Sequence, residues 1–447
     1  MEYAAQPYTI VHFEVPFHGL FGWPAAAIVK GHDRAIARLV SVVFSLISIW
    51  WVYRVLRRWL DASSSLIGTA VWAMAPLILQ FGQVPMPDIL ATTGLIIAFA
   101  YALQGNLIAS SGWFLFTVLA KLTVAPFGLP ILAALLAARQ CRSVRGLLGL
   151  SLSWGIVPLM GLLGWIALSL HDPPGSWVMV GGVGDMGDRS MVHLRELVDP
   201  RFVGTPIVLL LAFGCGVLGV LGLLAAPWNS TARMHVWIKA AIACAVISYY
   251  ALEEIAWGEP QYSVPVLFWV VVAASFGFRP LLDKLTGTLT RRYALGLVVA
   301  LHVTVVALGT LYLKACRIPN IRDLEAAGEL LPTDARVVVW GCIHEVCPQV
   351  WLGHNALVLK RCANSDPWLP DDFLRTTREL QKLGFTHLAV IDAEAKHSSQ
   401  WNHPRLHADY MTNLAEPKSP YRAWCDAHFQ EMFEGERVVL YALPEPI

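Results

Sequence analysis

A chain of 447 residues that is 56% hydrophobic and 15% charged, with 18 tryptophans, is neither disordered nor collagen-like, and it has too few charges to cover an ordinary soluble domain of that length. Its formal net charge of +1 gives no electrostatic footprint for nucleic acid. Apolar runs of about 20 residues, the length a bilayer demands, recur along it and read as a polytopic membrane protein.

Charge is unevenly spread. Residues 1–314 hold 20 Lys and Arg and 14 Asp and Glu, whereas 315–447 hold 13 and 18 in less than half the length. The sequence therefore divides into an extramembrane segment 1–37, a membrane module 38–314 and a C-terminal domain 315–447 with the charge density of a soluble protein.

In chain order the apolar spans are Arg38–Leu56, Ser64–Gly82, Met86–Gln104, Leu107–Ala120, Thr123–Ala138, Gly146–Leu170, Thr205–Ala226, His235–Leu252, Ser263–Phe278 and Tyr293–Leu313. Ten crossings is the working count. The fourth and fifth fall short of the roughly 17 residues of a usual span, and by length alone they fit either two spans or one long helix. Charge decides between these. Arg54, Arg57 and Arg58 follow the first span, and Arg139, Arg142 and Arg145 follow the fifth. If both clusters are cytoplasmic, an even number of crossings separates them, which requires two spans there. The same parity places Arg233, Lys239, Arg279, Lys284, Arg291 and Arg292 inside, and every acid of residues 1–314 except Asp61 and Asp283 outside.

An even count with an exported C-terminal domain also exports residues 1–37. That segment lacks the charged start and apolar stretch of a signal peptide. The expectation is one further crossing upstream of Met1.

The outward segments carry short phrases in a definite order. Phe13-Glu14-Val15-Pro16-Phe17-His18 is followed by Leu20-Phe21-Gly22, and Ala37-Arg38-Leu39-Val40-Ser41 opens a helix. A helix ending Ala75-Pro76 leads to Gln83-Val84-Pro85-Met86-Pro87-Asp88; Leu119-Ala120-Lys121 stands at the next outward turn, and Gln261-Tyr262 with Pro265 opens a later helix. This order, over most of residues 10–314, resembles the GT-C class of polyprenyl-phosphate-sugar-dependent glycosyltransferases, in the branch of the protein O-mannosyltransferases and the bacterial lipid A aminoarabinose transferase. There is one departure. That branch carries its catalytic aspartate behind a first transmembrane helix, upstream of the Phe-Glu-x-Pro phrase, and only Met1–His12 precede Phe13 here; Glu2 does not match its spacing. The resemblance and the parity of spans share the expectation that the natural chain begins further upstream; the other reading is a degenerate transferase that lacks its principal base.

Sugar transfer from a lipid phosphate needs a carboxylate to take the proton of the acceptor hydroxyl and cations to meet the charge of the departing phosphate. Asp88, Glu14, Lys121 and Arg38 all fall at the outer interface. Lys121 separates two apolar segments, where an ionisable group is costly and marks either a functional contact with phosphate or a snorkelling anchor at a turn. Asp88 follows Pro87 at a helix start, so it serves either the site or the helix dipole. Arg38 is a phosphate contact or an interfacial anchor, Glu14 a site acid or a solvated one, and His18 an acceptor contact or a surface residue. The resemblance implies the site roles: Asp88 and Glu14 catalytic, Lys121 and Arg38 on donor phosphate, and His18, Gln261 and Tyr262 binding acceptor or donor.

The resemblance further implies an inverting hexosyl or pentosyl transfer to a lipid, glycan or protein acceptor, in the cell inner membrane with the C-terminal domain periplasmic. The visible residues call for no cofactor and no metal, and without a soluble Rossmann-like transferase domain or a suitable cytoplasmic surface no nucleotide sugar is expected to bind. A transporter or flippase of lipid-linked sugars would show paired repeats with discontinuous helices meeting at mid-membrane, which the sequence does not display. A catalytically inactive scaffold acting through its exported domain is the third reading. The loop His171–Gly204, with its Gly181-Gly182-Val183-Gly184-Asp185 stretch and Asp188, precedes no nucleotide-binding strand and helix and reads as a lid or structural loop.

Beyond Lys314 the pattern is α/β. Helices are expected at Ile321–Leu331 and Asp371–Lys382, and strands at Ala335–Trp340, His387–Ile391 and Arg437–Ala442, making a small layered sheet domain. Cys342, Cys347, Cys362 and Cys425 lie in this domain, where an oxidising compartment favours disulfides over a metal site at Cys342-Ile343-His344-Glu345-Val346-Cys347.

Overall fold

The computed structural model describes residues 21–22, 33–83, 87–140, 143–171, 214–226, 233–252, 263–285, 289–315, 319–340, 352, 355–359, 378, 381–391, 425–435 and 438–444. The chain divides into two compact units, a helical one over Arg38–Lys314 and one that carries Ala315–Ile447.

Each of the ten apolar spans contains helix among the described residues. They are α1 (Asp33–Leu56), α2 (Ala62–Met74) with α3 (Pro76–Phe81), α4 (Pro87–Ala102), α5 (Leu107–Ala120), a 3₁₀ turn (Leu122–Phe127) with α6 (Gly128–Ala138), α7 (Val144–His171), α8 (Gly216–Ala225), α9 (Arg233–Leu252), α10 (Val264–Leu285) and α11 (Leu289–Ala315). Stretches of α1, α7 and α10 are long and apolar enough to cross a bilayer, and the rest include shorter apolar helices. The chemistry of their surfaces fits lipid contact: Leu148, Leu152, Ile156, Leu159 and Leu163 of α7 are all exposed, a ridge that water would penalise and acyl chains accept.

Local chemistry explains where the helices start and stop. Pro76 denies α2 an N–H and pushes Ala75 to an extended conformation (φ −56°, ψ 128°), so the second span is two helices rather than one. Asp61 caps α2, accepting from the Ser64 backbone N–H at 3.0 Å and the Ser64 hydroxyl at 2.8 Å. These bonds, led by the backbone one, hold its carboxyl below the ordinary value of 3.8. Gly105, at φ +69°, turns the chain between α4 and α5, and Asn106 caps α5 through the Ala109 N–H at 3.1 Å.

The fourth and fifth spans are separate. Helix α5 stops at Ala120, Lys121 is extended (φ −155°, ψ 108°), and the chain folds back through the 3₁₀ turn into α6. At the far end of this hairpin Arg139 Nε donates to the Gly105 carbonyl at 2.7 Å. The ends of α4 and α6 therefore share one level, with Lys121 at the opposite one.

Small residues set how closely the helices approach. A Cβ on Gly94 of α4 would stand 2.6 Å from Thr117 Oγ1 and 2.7 Å from a Phe116 ring carbon of α5; one on Gly222 of α8 would meet the Ala274 carbonyl of α10 at 2.5 Å. Backbones this close gain dispersion contacts that lipid cannot replace. Beneath them lies an aromatic core in which Phe99 of α4 packs edge-on against Trp269 of α10 with centroids 4.8 Å apart.

The second unit holds a five-stranded sheet in the order β2-β1-β3-β5-β4: β1 (Arg336–Trp340), β2 (Asn355–Leu359), β3 (His387–Ile391), β4 (Gln430–Glu434) and β5 (Val438–Ala442). Strands β2, β1 and β3 are parallel, and β5 and β4 close the sheet antiparallel. Helix α12 (Pro319–Glu329) precedes β1 and contributes the buried Leu324 and Ala327. Val337, Val338 and Val339 are all buried, as expected for a strand covered on both faces.

Strands β1, β3 and β5 and helix α12 follow the sequence reading closely, while β2 and β4 were not anticipated. The expected helix Asp371–Lys382 lies largely outside the described residues, as do Cys342, Cys347 and Cys362. Cys425 corrects the disulfide expectation for its own position: it is a free thiol, packed among Val338, Leu388, Val390 and Tyr441, and burial pushes its pKa up to about 12.

Candidate active site

Two of the expected site residues meet. Lys121 Nζ donates to Asp88 Oδ1 at 2.7 Å, and the side chains retain 7% and 4% of their exposure. Each sits where its helix favours its charge: Asp88 in the first turn of α4, at the positive end of the dipole, and Lys121 immediately after α5, at the negative end. The antiparallel α4–α5 pair joins the two ends, and the bare Cα of Gly94 lets α5 come near enough for the ammonium to reach. Lys121 is not a snorkelling anchor, since its charge is buried inside the bundle.

The third expected residue, Arg38, is partly buried near the start of α1. Helices α1 and α4 run in the same direction: Thr93 Oγ1 donates to the Phe44 carbonyl at 3.1 Å, and further along Trp51 packs on Tyr101 at 5.3 Å. Counting back from the Thr93–Phe44 contact, Arg38 lies about 9 Å and Asp88 about 7.5 Å along the axis, so the two share a level. Glu14, His18, Gln261 and Tyr262 fall outside the described residues.

The opposite end is basic without being buried. Trp59, next to Arg57 and Arg58, packs on Phe99 at 6.0 Å and on Phe276 at 5.9 Å, three residues before Arg279. Together with the Arg139–Gly105 bond, this gathers Arg57, Arg58, Arg139 and Arg279 toward one end of the bundle, as the parity of spans requires.

Sequence reasoning missed Thr92, one turn beyond Asp88 on the same face of α4. It is fully buried, and its hydroxyl has no hydrogen-bond partner among the described residues. The four-residue spacing from Asp88 was the available signal.

Chemically, the carboxylate fixes the ammonium in position, and in a low-dielectric surround each charge acts on its neighbours more strongly than it would in water.

Residues 14–165 match the family model of the dolichyl-phosphate-mannose-protein mannosyltransferases, a stretch that includes Arg38, Asp88 and Lys121. Among solved structures the chain is similar to ArnT from Cupriavidus metallidurans in the apo state, with a TM-score of 0.50 and 13% identity over 96% of this chain and 87% of that one. The same protein bound to undecaprenyl phosphate matches with a TM-score of 0.50 and 14% identity over the same 96% and 87%. The apo oligosaccharyltransferase of Archaeoglobus fulgidus is similar at a TM-score of 0.48 and 13% identity, covering 95% of this chain and 65% of that one. No curated protein matches the sequence. The fold is thus a GT-C-like helical bundle followed by an α/β unit, and the chain resembles the mannosyltransferase and ArnT branch in fold and in its N-terminal third.

Proposed function

We propose that the protein is a membrane glycosyltransferase that moves a sugar from a polyprenyl-phosphate donor to an exported acceptor with inversion at the anomeric carbon. The observation that carries this reading is the buried Asp88–Lys121 pair, set at the end of the bundle away from Arg57, Arg58 and Arg139. That end is the outer one by the positive-inside rule, and a lipid-linked sugar destined for an exported acceptor presents its phosphate there. ArnT, similar in fold, has been solved with undecaprenyl phosphate, which supports a donor of this class.

In the reaction, the acceptor oxygen forms a bond to the anomeric carbon as the bond from that carbon to the phosphate oxygen breaks, and the electron pair of the broken bond stays on phosphate. Lys121 and Arg38 meet that developing charge, an interaction stronger in the transition state than in the ground state. A carboxylate takes the acceptor proton. Asp88 and Glu14 are the carboxylates this reading assigns to the site, with Asp88 holding Lys121 in place; His18, Gln261 and Tyr262 contact acceptor or donor. The sugar is a hexose or pentose, the acceptor a lipid, glycan or protein, and the C-terminal unit stands in the periplasm of an inner-membrane protein.

The test is transfer from a labelled polyprenyl-phosphate sugar in membranes carrying the wild type or Asp88→Asn. Labelled glycoside that falls by about 100-fold or more in Asp88→Asn upholds the reading. Labelled lipid moved across the bilayer with no glycoside formed means a flippase, and neither event means a scaffold; both outcomes refute transfer.

A further inference from the structure

Hydroxyls on the helices of this protein have a common habit: they donate to the carbonyl four residues back. Thr69, Thr117, Ser275, Thr304 and Thr310 all do so, at 2.7–2.9 Å. Thr93, next in sequence to Thr92, donates to Ile89 O at 2.7 Å and to Phe44 O at 3.1 Å. Thr92 does not follow the habit. Its side chain is wholly enclosed, and Oγ1 has no hydrogen-bond partner among the described residues. Enclosing a donor in this way costs free energy that one rotation toward the Asp88 carbonyl could recover.

Its place on the helix sets what lies around the hydroxyl. Side chains four residues apart lie on one face and lean toward the helix N-terminus, so Thr92 covers the turn that carries Asp88. Seven residues on, Phe99 occupies the same face and packs on Phe268 and Trp269. Thr92 thus lies between the Asp88–Lys121 pair and an aromatic floor.

We infer that the Thr92 hydroxyl is a ligand-binding donor that hydrogen-bonds a phosphate oxygen drawn to Lys121, an inference that rests on the phosphate-binding role proposed above for that lysine. The sugar-linked lipid is a phosphodiester with two non-bridging acceptor oxygens, and the monoester left after transfer has three. Lys121 supplies charge to one, and Thr92 supplies a directional donor from the turn below; together they orient the headgroup as a single cation does not.

The experiment titrates the purified full chain in detergent micelles with undecaprenyl phosphate, and in a parallel arm with inorganic phosphate, comparing wild type, Thr92→Val, Thr92→Ser and Lys121→Met. Thr92→Val removes the hydroxyl at nearly constant volume and is expected to weaken lipid binding about tenfold, the worth of one charge-assisted hydrogen bond. Thr92→Ser keeps the donor and stays close to wild type. Because the hydroxyl has no hydrogen-bond partner among the described residues, the unliganded melting temperature of Thr92→Val is expected to equal or exceed that of wild type. This readout separates ligand binding from a structural role. A tenfold loss in both arms means that the phosphate alone is recognised, and a loss with lipid only that the isoprenoid chain seats it; both uphold the inference. Wild-type affinity in Thr92→Val, with binding lost in Lys121→Met, overturns the role of Thr92 and leaves the lysine site standing. A lowered unliganded melting temperature in Thr92→Val also overturns it. Binding unchanged in Lys121→Met, or absent in wild type, defeats the phosphate reading and this inference with it.

Discussion

At the scale of single residues, the Asp88–Lys121 pair is a liability as well as a tool. Taking two charges out of water is expensive, and their attraction repays it only while both are present. Removing either one, as in Asp88→Asn or Lys121→Met, is expected to cost about 3–5 kcal/mol in denaturant or thermal unfolding in micelles. The double variant should lose at least about 1 kcal/mol less than the sum of the singles, because it leaves no orphaned charge. A strictly additive double would mean that the two residues do not act as a unit. Both members were legible in the sequence, Lys121 because it interrupts an apolar run and Asp88 because it opens a helix beside two prolines. Their contact was not, since 33 residues separate them and only the approach of α5 to α4 brings them together. Thr92 was hidden for a different reason: a threonine in an apolar helix ordinarily bonds its own backbone, and sequence does not show when it declines to.

At the scale of elements, that approach depends on Gly94. A side chain there has no room between α4 and Thr117 and Phe116 of α5, so Gly94→Val is expected to cost about 1–3 kcal/mol of stability and to weaken donor binding by parting Lys121 from Asp88. Binding at wild-type strength in a folded Gly94→Val protein would show that helix spacing does not govern the site. The start of α2 offers a pH test. The Asp61 carboxyl is held below its ordinary value of 3.8, so its contribution is present above that value and is lost as the pH falls through the depressed one. Asp61→Ala is expected to cost about 1 kcal/mol at pH 7 and to converge with wild type in melting scans as the pH falls through the depressed value. The strands divide along similar physical lines. Runs such as Val337–Val339 and Val438–Tyr441 are buried and continuous, which makes β1 and β5 readable. Strand β4 is an edge, with Gln430, Glu431 and Met432 exposed and a register shift between Glu431 and Phe433, so it carries no alternation to read; its best signal was Gly435 at the turn into β5. Cys425 shows the limit of compartment reasoning, because its thiol is enclosed by the sheet core.

At the scale of the whole molecule, hydropathy and the distribution of arginines made the helical bundle legible, and the structure sets Arg57, Arg58, Arg139 and Arg279 at one end and the buried pair at the other. The parity argument succeeded in splitting the fourth and fifth spans because charge at helix ends is a long-range constraint that span length lacks. Sidedness follows as a prediction: in intact cells, an impermeant thiol reagent should label a cysteine placed at Gln83 and a tag fused after Ile447 should be reached from outside, while a cysteine at Gly105 should stay protected. Labelling in the reverse sense would invert the membrane orientation and remove the outer-face site. The central claim is that a buried lysine on the exported side anchors a lipid phosphate during sugar transfer. The most direct measurement is the steady-state rate of transfer from a polyprenyl-phosphate sugar by Lys121→Met against wild type, at varied donor concentration. The account predicts a fall of about 100-fold or more in kcat/KM for the donor. A Lys121→Met enzyme that transfers sugar at the wild-type rate would contradict it.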